Sequence, residues 1–156
     1  MQVSHTIDLP LAPEVVFAYI TALENERCWQ PEIERIRLLT PGPLALGAEF
    51  EEVRRSFGRQ YTWRFCVTEF EPPWRFAIAS IQGKPRYSGS RVCSLTPTGT
   101  RLTEAGELET PGWLRFCDPL LARLAQRSQK EAFGRLRALL LQQAAASAGY
   151  EIPPAR

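Results

Sequence analysis

The C-terminal part of the sequence reads as one long amphipathic helix. It follows a run of short strands that contains no other helix long enough to cover them. Phe116, Leu120, Leu121 and Leu124 recur three and four apart, and Ser128, Ala132, Leu136, Leu139 and Leu140 continue the stripe. Asp118 suits an N-cap and Pro119 the first helical position. A helix from Pro119 to Ala146 would be about 42 Å long at 1.5 Å per residue. Its opposite face carries Arg123, Gln126, Arg127, Lys130 and Arg137. That is the pattern of a solvated face; weak contact with an anionic surface or RNA is the alternative.

Upstream, the period changes to two. Val3, His5, Ile7 and Leu9 alternate with Gln2, Ser4, Thr6 and Asp8, which predicts a strand over Gln2–Leu9. Pro13 then opens a helix with Val15, Val16, Tyr19 and Ile20 on its apolar side. A second short helix is expected over Leu23–Trp29, ended by Pro31. Six strands follow: Ile33–Leu39, Ala48–Phe57, Tyr61–Phe70, Trp74–Ile81, Arg86–Leu95 and Thr100–Glu109. Gly58-Arg59 and Thr96-Pro97-Thr98-Gly99 are short connections, so neighbours should run antiparallel. A seven-stranded sheet must cover its apolar face, and only the C-terminal helix can do so. The expected fold is α+β, a curved seven-stranded antiparallel sheet around one long helix, with two short helices after strand 1. Sheets that close on a helix in this way often leave a cavity between the two.

Composition narrows the class. The 156 residues are 44% apolar and 23% charged with a net charge of +2, the balance of one ordinary folded domain. The charge argues for no nucleic-acid partner. No stretch approaches the ~18 apolar residues of a membrane span. The N-terminus lacks a basic patch followed by an apolar run, so the expected location is cytoplasmic. Cys28, Cys66, Cys93 and Cys117 are scattered, as buried fillers are, and His5 is the single imidazole. Metal, disulfide and Ser-His triad chemistry are therefore not expected, and the glycines follow no phosphate-loop spacing that would imply a nucleotide cofactor.

Five segments carry a family resemblance. Ile7-Asp8-Leu9-Pro10-Leu11-Ala12-Pro13-Glu14-Val15-Val16-Phe17 resembles a strand running into a proline-led helix with "xxVF". Trp29-Gln30-Pro31-Glu32-Ile33 resembles "W-x-P-x-(I/V)", and Gly47-Ala48-Glu49-Phe50 resembles "G-x-x-(F/W)". Val67 to Phe76 resembles "V-x-x-x-x-P-P-x-R-(F/L)", and Leu95 to Thr103 resembles "L-x-P-x-x-(G)-T-x-(L/V)-T". In this order they resemble the START-like superfamily of helix-grip, Bet v 1-like proteins, in its SRPBCC branch of polyketide cyclases/dehydrases and lipid-transport proteins. The resemblance implies a single START-like/SRPBCC ligand-binding domain over 1–146, a flexible tail over 147–156, and a hydrophobic cavity between sheet and helix. No cofactor is expected, and no catalytic residue can be carried over from the resemblance.

Alternation nominates the residues of such a site. Tyr61, Trp63, Phe65 and Val67 share a face, as do Trp74, Phe76, Ile78 and Ser80, with Phe116, Leu120 and Leu124 facing them from the helix. Trp29 falls where the cavity of such proteins has its mouth. An aromatic concave face suits a small ligand; plain core packing is the other reading of every one of these side chains. In the last hairpin, Leu95 and Leu102 should both face inward. Counting by twos then brings Cys93, Arg91, Gly89 and Tyr87 inward, together with Glu104, Gly106 and Leu108. Arg91 and Glu104 would lie diagonally across the pair. Phe50 likewise brings Glu52 and Arg54 inward. Interior charges must be paired. Either Arg91, with Glu104 and Tyr87, orients a polar end of a ligand, or a bulge puts them in solvent as a surface ion pair.

Three functions compete. The first is binding, transport or sensing of a small hydrophobic or amphipathic molecule. The second is cyclase or dehydratase chemistry with Glu104, Glu52 or Tyr87 as acid or base and Arg91 stabilising an enolate. The third is a macromolecular interaction module using the basic helix face or a sheet edge. The first is preferred, because no familiar catalytic set is present; oligomeric state is left open.

Overall fold

The structure, a computed structural model, describes residues 1–56, 58–109, 112 and 118–148. The order is β1 (Gln2–Leu9), α1 (Pro13–Thr21), α2 (Leu23–Trp29), β2 (Ile33–Leu38), β3 (Glu49–Ser56), β4 (Arg59–Glu71), β5 (Arg75–Gln82), β6 (Tyr87–Thr96), β7 (Gly99–Leu108) and α3 (Asp118–Ala148). α3 extends past the expected Ala146 to Ala148; the remainder of the expected tail, 149–156, lies outside the described residues, as do Phe57, Phe116 and Cys117.

The strands form one antiparallel sheet in the order β1-β7-β6-β5-β4-β3-β2. Sequential strands pair as hairpins from β2 to β7, and β1 closes on β7. β4 is long, and its register against β5 shifts between Arg64 and Phe65 and again between Val67 and Glu69. Each shift bends the strand and raises its twist, which is how the sheet acquires curvature. β1 alternates as the sequence implies: Val3, His5, Ile7 and Leu9 are the less exposed set.

α1 lies against the interior strands β6 and β7. α2 packs on edge strand β2, and α3 makes its close approaches to α2 and to edge strand β1. Polar ties fix α3 there. Arg135 Nε donates to the Trp29 carbonyl at 3.1 Å, Arg137 Nη1 to the Asp8 carbonyl at 3.0 Å, and Ser128 Oγ to Glu32 Oε1 at 2.8 Å. The buried line of α3 is Ala132, Phe133, Leu136 and Leu140, packed with Leu9, Trp29 and Leu102 in one core. His5 meets Phe133 edge-on at 5.0 Å, a packing role.

Three expectations are corrected here. Leu120 and Leu124 do not face the sheet; they are 62% and 43% exposed. Traced back from Phe133 and Leu136 at 3.6 residues per turn, the inner line runs through Gln129, Ala125 and Ala122. Leu120 and Leu124 fall about half a turn away. Leu95 is 69% exposed. β5 pairs with β6 only as far as Arg75 opposite Val92, so Leu95 has a sheet neighbour on one side alone. Trp74 is 40% exposed because it lies in the turn before β5, where its amide donates to the Glu71 carbonyl, and strand alternation does not govern it.

Candidate functional site

The concave face of the central strands carries a row of rings. Glu52 stands opposite Trp63, Arg54 opposite Tyr61, and Phe50 opposite Phe65. Tyr61 and Trp63 stack with centroids 5.3 Å apart and planes 13° apart, Trp63 and Phe65 follow at 6.2 Å, and Tyr87 meets Phe65 edge-on at 6.0 Å. Trp63 Nε1 donates to the Pro85 carbonyl at 2.7 Å. Trp63, Phe65 and Phe76 are buried; Tyr61, Ile78 and Tyr87 keep part of their surface.

Beside the rings lies a buried polar cluster. Arg91 and Glu104 are directly opposite on β6 and β7, not diagonal. The turn Pro97-Thr98 pairs Thr96 with Gly99, and stepping back along both strands brings Arg91 level with Glu104. Arg91 Nε donates to Glu104 Oε2 at 2.7 Å, Nη1 to the Ile20 carbonyl at 3.0 Å and to Glu26 Oε1, and Nη2 to Glu26 Oε2 at 3.1 Å. Its guanidinium carbon lies 4.9 Å from the centroid of Trp29 and 6.0 Å from that of Phe76. Gln129 Nε2 of α3 donates to Glu104 Oε1 at 3.0 Å. Gln30 Nε2 donates to Glu26 Oε2, and Gln30 Oε1 accepts from Arg54 Nη2 at 2.8 Å. Arg54 Nε completes the chain to Glu52 Oε1 at 2.8 Å.

This geometry reassigns Arg91. All three of its nitrogens donate, to two carboxylates and to a carbonyl in the last turn of α1, so it fastens α1 and α2 onto β6. Trp29, 1% exposed and packed between Arg91 and Phe133, belongs to the same clasp. Sequence reasoning does not nominate Glu26, Gln30 or Gln129. Glu26 carries one signal: it sits three residues after Leu23 and three before Trp29, on the buried side of α2.

The electrostatics follow from sharing. Burial opposes the Arg91 charge, but Glu26 and Glu104 outweigh it and hold the guanidinium firmly protonated. One cation serves two carboxylates, and burial leaves Glu26 with its affinity for a proton raised despite Arg91. Burial, then the charge of Glu104, pushes the Tyr87 phenol well above its ordinary value. Burial also lowers Arg54, and the adjacent Glu52 more than restores it. Tyr87 lies across Gly89 and Gly106, which face each other in the hairpin; a Cβ on either would stand 2.7 Å from the phenol oxygen. Glycine at both positions is what lets the ring lie there. Among the described residues no group of three His, Cys, Asp or Glu side chains has the arrangement to hold a metal ion.

The sequence matches the family described as polyketide cyclase / dehydrase and lipid transport over residues 1–141. The chain belongs to that family. Solved structures agree on the fold. TTHA0849 from Thermus thermophilus superposes with a TM-score of 0.75 at 20% identity, covering 92% of this chain and 99% of that one. A START superfamily protein from Mycobacterium smegmatis gives 0.73 at 18% identity, with 91% and 98% covered. Ara h 8.0201 gives 0.67 at 14% identity, with 91% and 98% covered. The fold is thus the helix-grip fold of START and Bet v 1-like proteins. A comparison with curated proteins finds no match. No helix among the described residues is long and apolar enough to cross a membrane.

Proposed function

We propose that the protein binds a small hydrophobic or amphipathic molecule in a hollow between the central strands and α3. The observation that carries this reading is the partial exposure of Tyr61, Ile78, Tyr87 and Arg54 on the inward side of the central strands, beside the buried rings of Trp63, Phe65 and Phe76. Family membership and the seating of α3 against β1 and α2, at the edges of the sheet, support the same reading. Tyr61, Trp63, Phe65, Phe76 and Ile78 would form the apolar wall.

The test is titration with N-phenyl-1-naphthylamine, an uncharged apolar fluorophore. Saturable enhancement is expected, with a thermal stabilisation that grows as RT ln(1 + [L]/Kd), about 2.7 kcal/mol at a hundredfold excess over Kd. Ile78→Trp, which fills the space from the sheet side, should abolish the enhancement while the fold persists. Equal fluorescence from wild type and Ile78→Trp would count against the hollow.

A cyclase or dehydratase reading retains one specific support, the Glu52 carboxylate and Tyr87 hydroxyl beside the ring row. It no longer has Arg91 and Glu104, whose polar atoms are engaged with each other, Glu26, Ile20 and Gln129.

A further inference from the structure

We infer that one end of the sheet, with the opening turns of α3, docks on a lipid bilayer that carries anionic headgroups. The inference goes beyond the binding reading and stands on exposed residues alone. β3 turns into β4 where Ser56 pairs with Arg59, β5 gives way to β6 between Gln82 and Tyr87, and β7 finishes at Leu108, opposite Tyr87. These features share one end of the sheet with Gln2 of β1. α3 begins at the same end. Gln129 reaches Glu104, the partner of His5, whereas Arg137 reaches the Asp8 carbonyl, toward the opposite end. From Gln129 back to Leu120 is about 14 Å of helix, and from His5 back to Gln2 about 10 Å of strand. The opening turns of α3 therefore stand at the sheet's end or just past it.

Three cations and two leucines meet on this surface. Leu120 and Leu124, one turn apart on α3, are 62% and 43% exposed. Arg59 in the β3–β4 turn, Lys84 in the β5–β6 connection and Arg123 on α3 are exposed, and their side chains have no hydrogen-bond or ion-pair partner among the described residues. Lys84 precedes Pro85, whose carbonyl accepts from Trp63 Nε1, so it caps the ring row. Arg127 flanks the leucines, tied to Glu131 only through an exposed pair. The acids of this end, Glu107 and Glu109, alternate to the outer face of the sheet, with Arg86 opposite Glu109. Cations call for an anionic partner and exposed leucines for an apolar one. A bilayer with anionic lipids supplies both at once; a polyanion such as RNA supplies only charge. The opposite end of the sheet also exposes apolar side chains, Trp74 and Leu95, but its unpaired charges are Glu14 and Glu71. The two ends differ in the sign of their free charge, and only the first complements an anionic surface.

The test is co-sedimentation of the full chain with two kinds of vesicle, phosphatidylcholine alone and equal parts phosphatidylcholine and phosphatidylglycerol. Wild type should sediment with the mixed vesicles, weakly or not at all with phosphatidylcholine, and should be released by added salt. Arg59→Gln, Lys84→Gln and Arg123→Gln should each weaken partitioning about fivefold, the worth of one basic residue at such a surface. Leu120→Gln combined with Leu124→Gln should weaken it about tenfold. Trp74→Ala, at the opposite end, should leave it unchanged. All these positions are exposed, and thermal unfolding matched to wild type confirms the fold of each variant. Equal sedimentation with both vesicles, none with either, or a loss on Trp74→Ala would overturn the docking surface. Dependence on the cations with indifference to the leucine pair would mark a polyanion site and overturn the bilayer. The naphthylamine titration decides the hollow separately, so either inference can fail without the other.

Discussion

Arg91 and Glu104 face each other directly across the β6–β7 hairpin, joined by a 2.7 Å hydrogen bond from Nε to Oε2. The other edge of the same guanidinium holds Glu26 of α2 and the Ile20 carbonyl of α1. One side chain thus secures the short helices to the middle of the sheet. Its surroundings, 12% side-chain exposure with Trp29 beneath it, make that bond costly to break.

Arg91→Ala should therefore destabilise the protein by about 3–5 kcal/mol, because Glu26 and Glu104 are left buried without their cation. Urea unfolding measures this. A loss below about 1 kcal/mol, the scale of an exposed pair, would show that the clasp is not structural. Glu104→Gln should cost less, since the amide oxygen can still accept from Arg91.

Glu26 supplies a pH dependence of definite sign. Burial raises its proton affinity in the folded state above the ordinary value of 4.5, with Arg91 opposing and Glu104 and Glu52 adding to the rise. The folded protein then holds a proton that the unfolded chain releases. Its contribution to stability is full below about pH 4.5 and is lost as pH rises through the folded value. Glu26→Gln should remove that decline. The measurement is the difference in unfolding free energy between wild type and Glu26→Gln across pH 4 to 9. A difference that does not change with pH would contradict the shift.

The thiols should separate by reactivity. Cys93 is 3% exposed, and burial pushes its thiol up to about 11, whereas Cys28 is exposed. Alkylation by iodoacetamide at pH 7.5, followed by peptide mass spectrometry, should label Cys28 in the native protein and Cys93 only after unfolding. Native labelling of Cys93 at the rate of Cys28 would show that β6 opens readily there.

What can be read from sequence divides along local and tertiary lines. The bounds of α2 and the alternation of β1 are periodicities written in neighbouring residues, and they hold. So does the inward side of Arg91, Glu104, Glu52 and Arg54, because side-chain direction in a strand repeats every two residues. The direct pairing of Arg91 with Glu104 requires the turn to be taken as two residues. The phase of α3 is ambiguous in sequence because two leucine rows run along it, and only packing against β1 and α2 selects which is buried. Glu26 and Gln129 join the cluster from two separate helices, and no local pattern brings them to one point. The face-to-face glycines Gly89 and Gly106 are visible as inward positions, but Tyr87 lying across them depends on the register of the folded hairpin.

The hollow itself is most directly probed by diffraction from a crystal pressurised with xenon, which occupies dry apolar voids without needing a specific ligand. Anomalous density between the ring row of Tyr61, Trp63 and Phe65 and the inner line of α3 is the expected result. Side chains from α3 packed in contact with those rings, with no xenon between them, would contradict it.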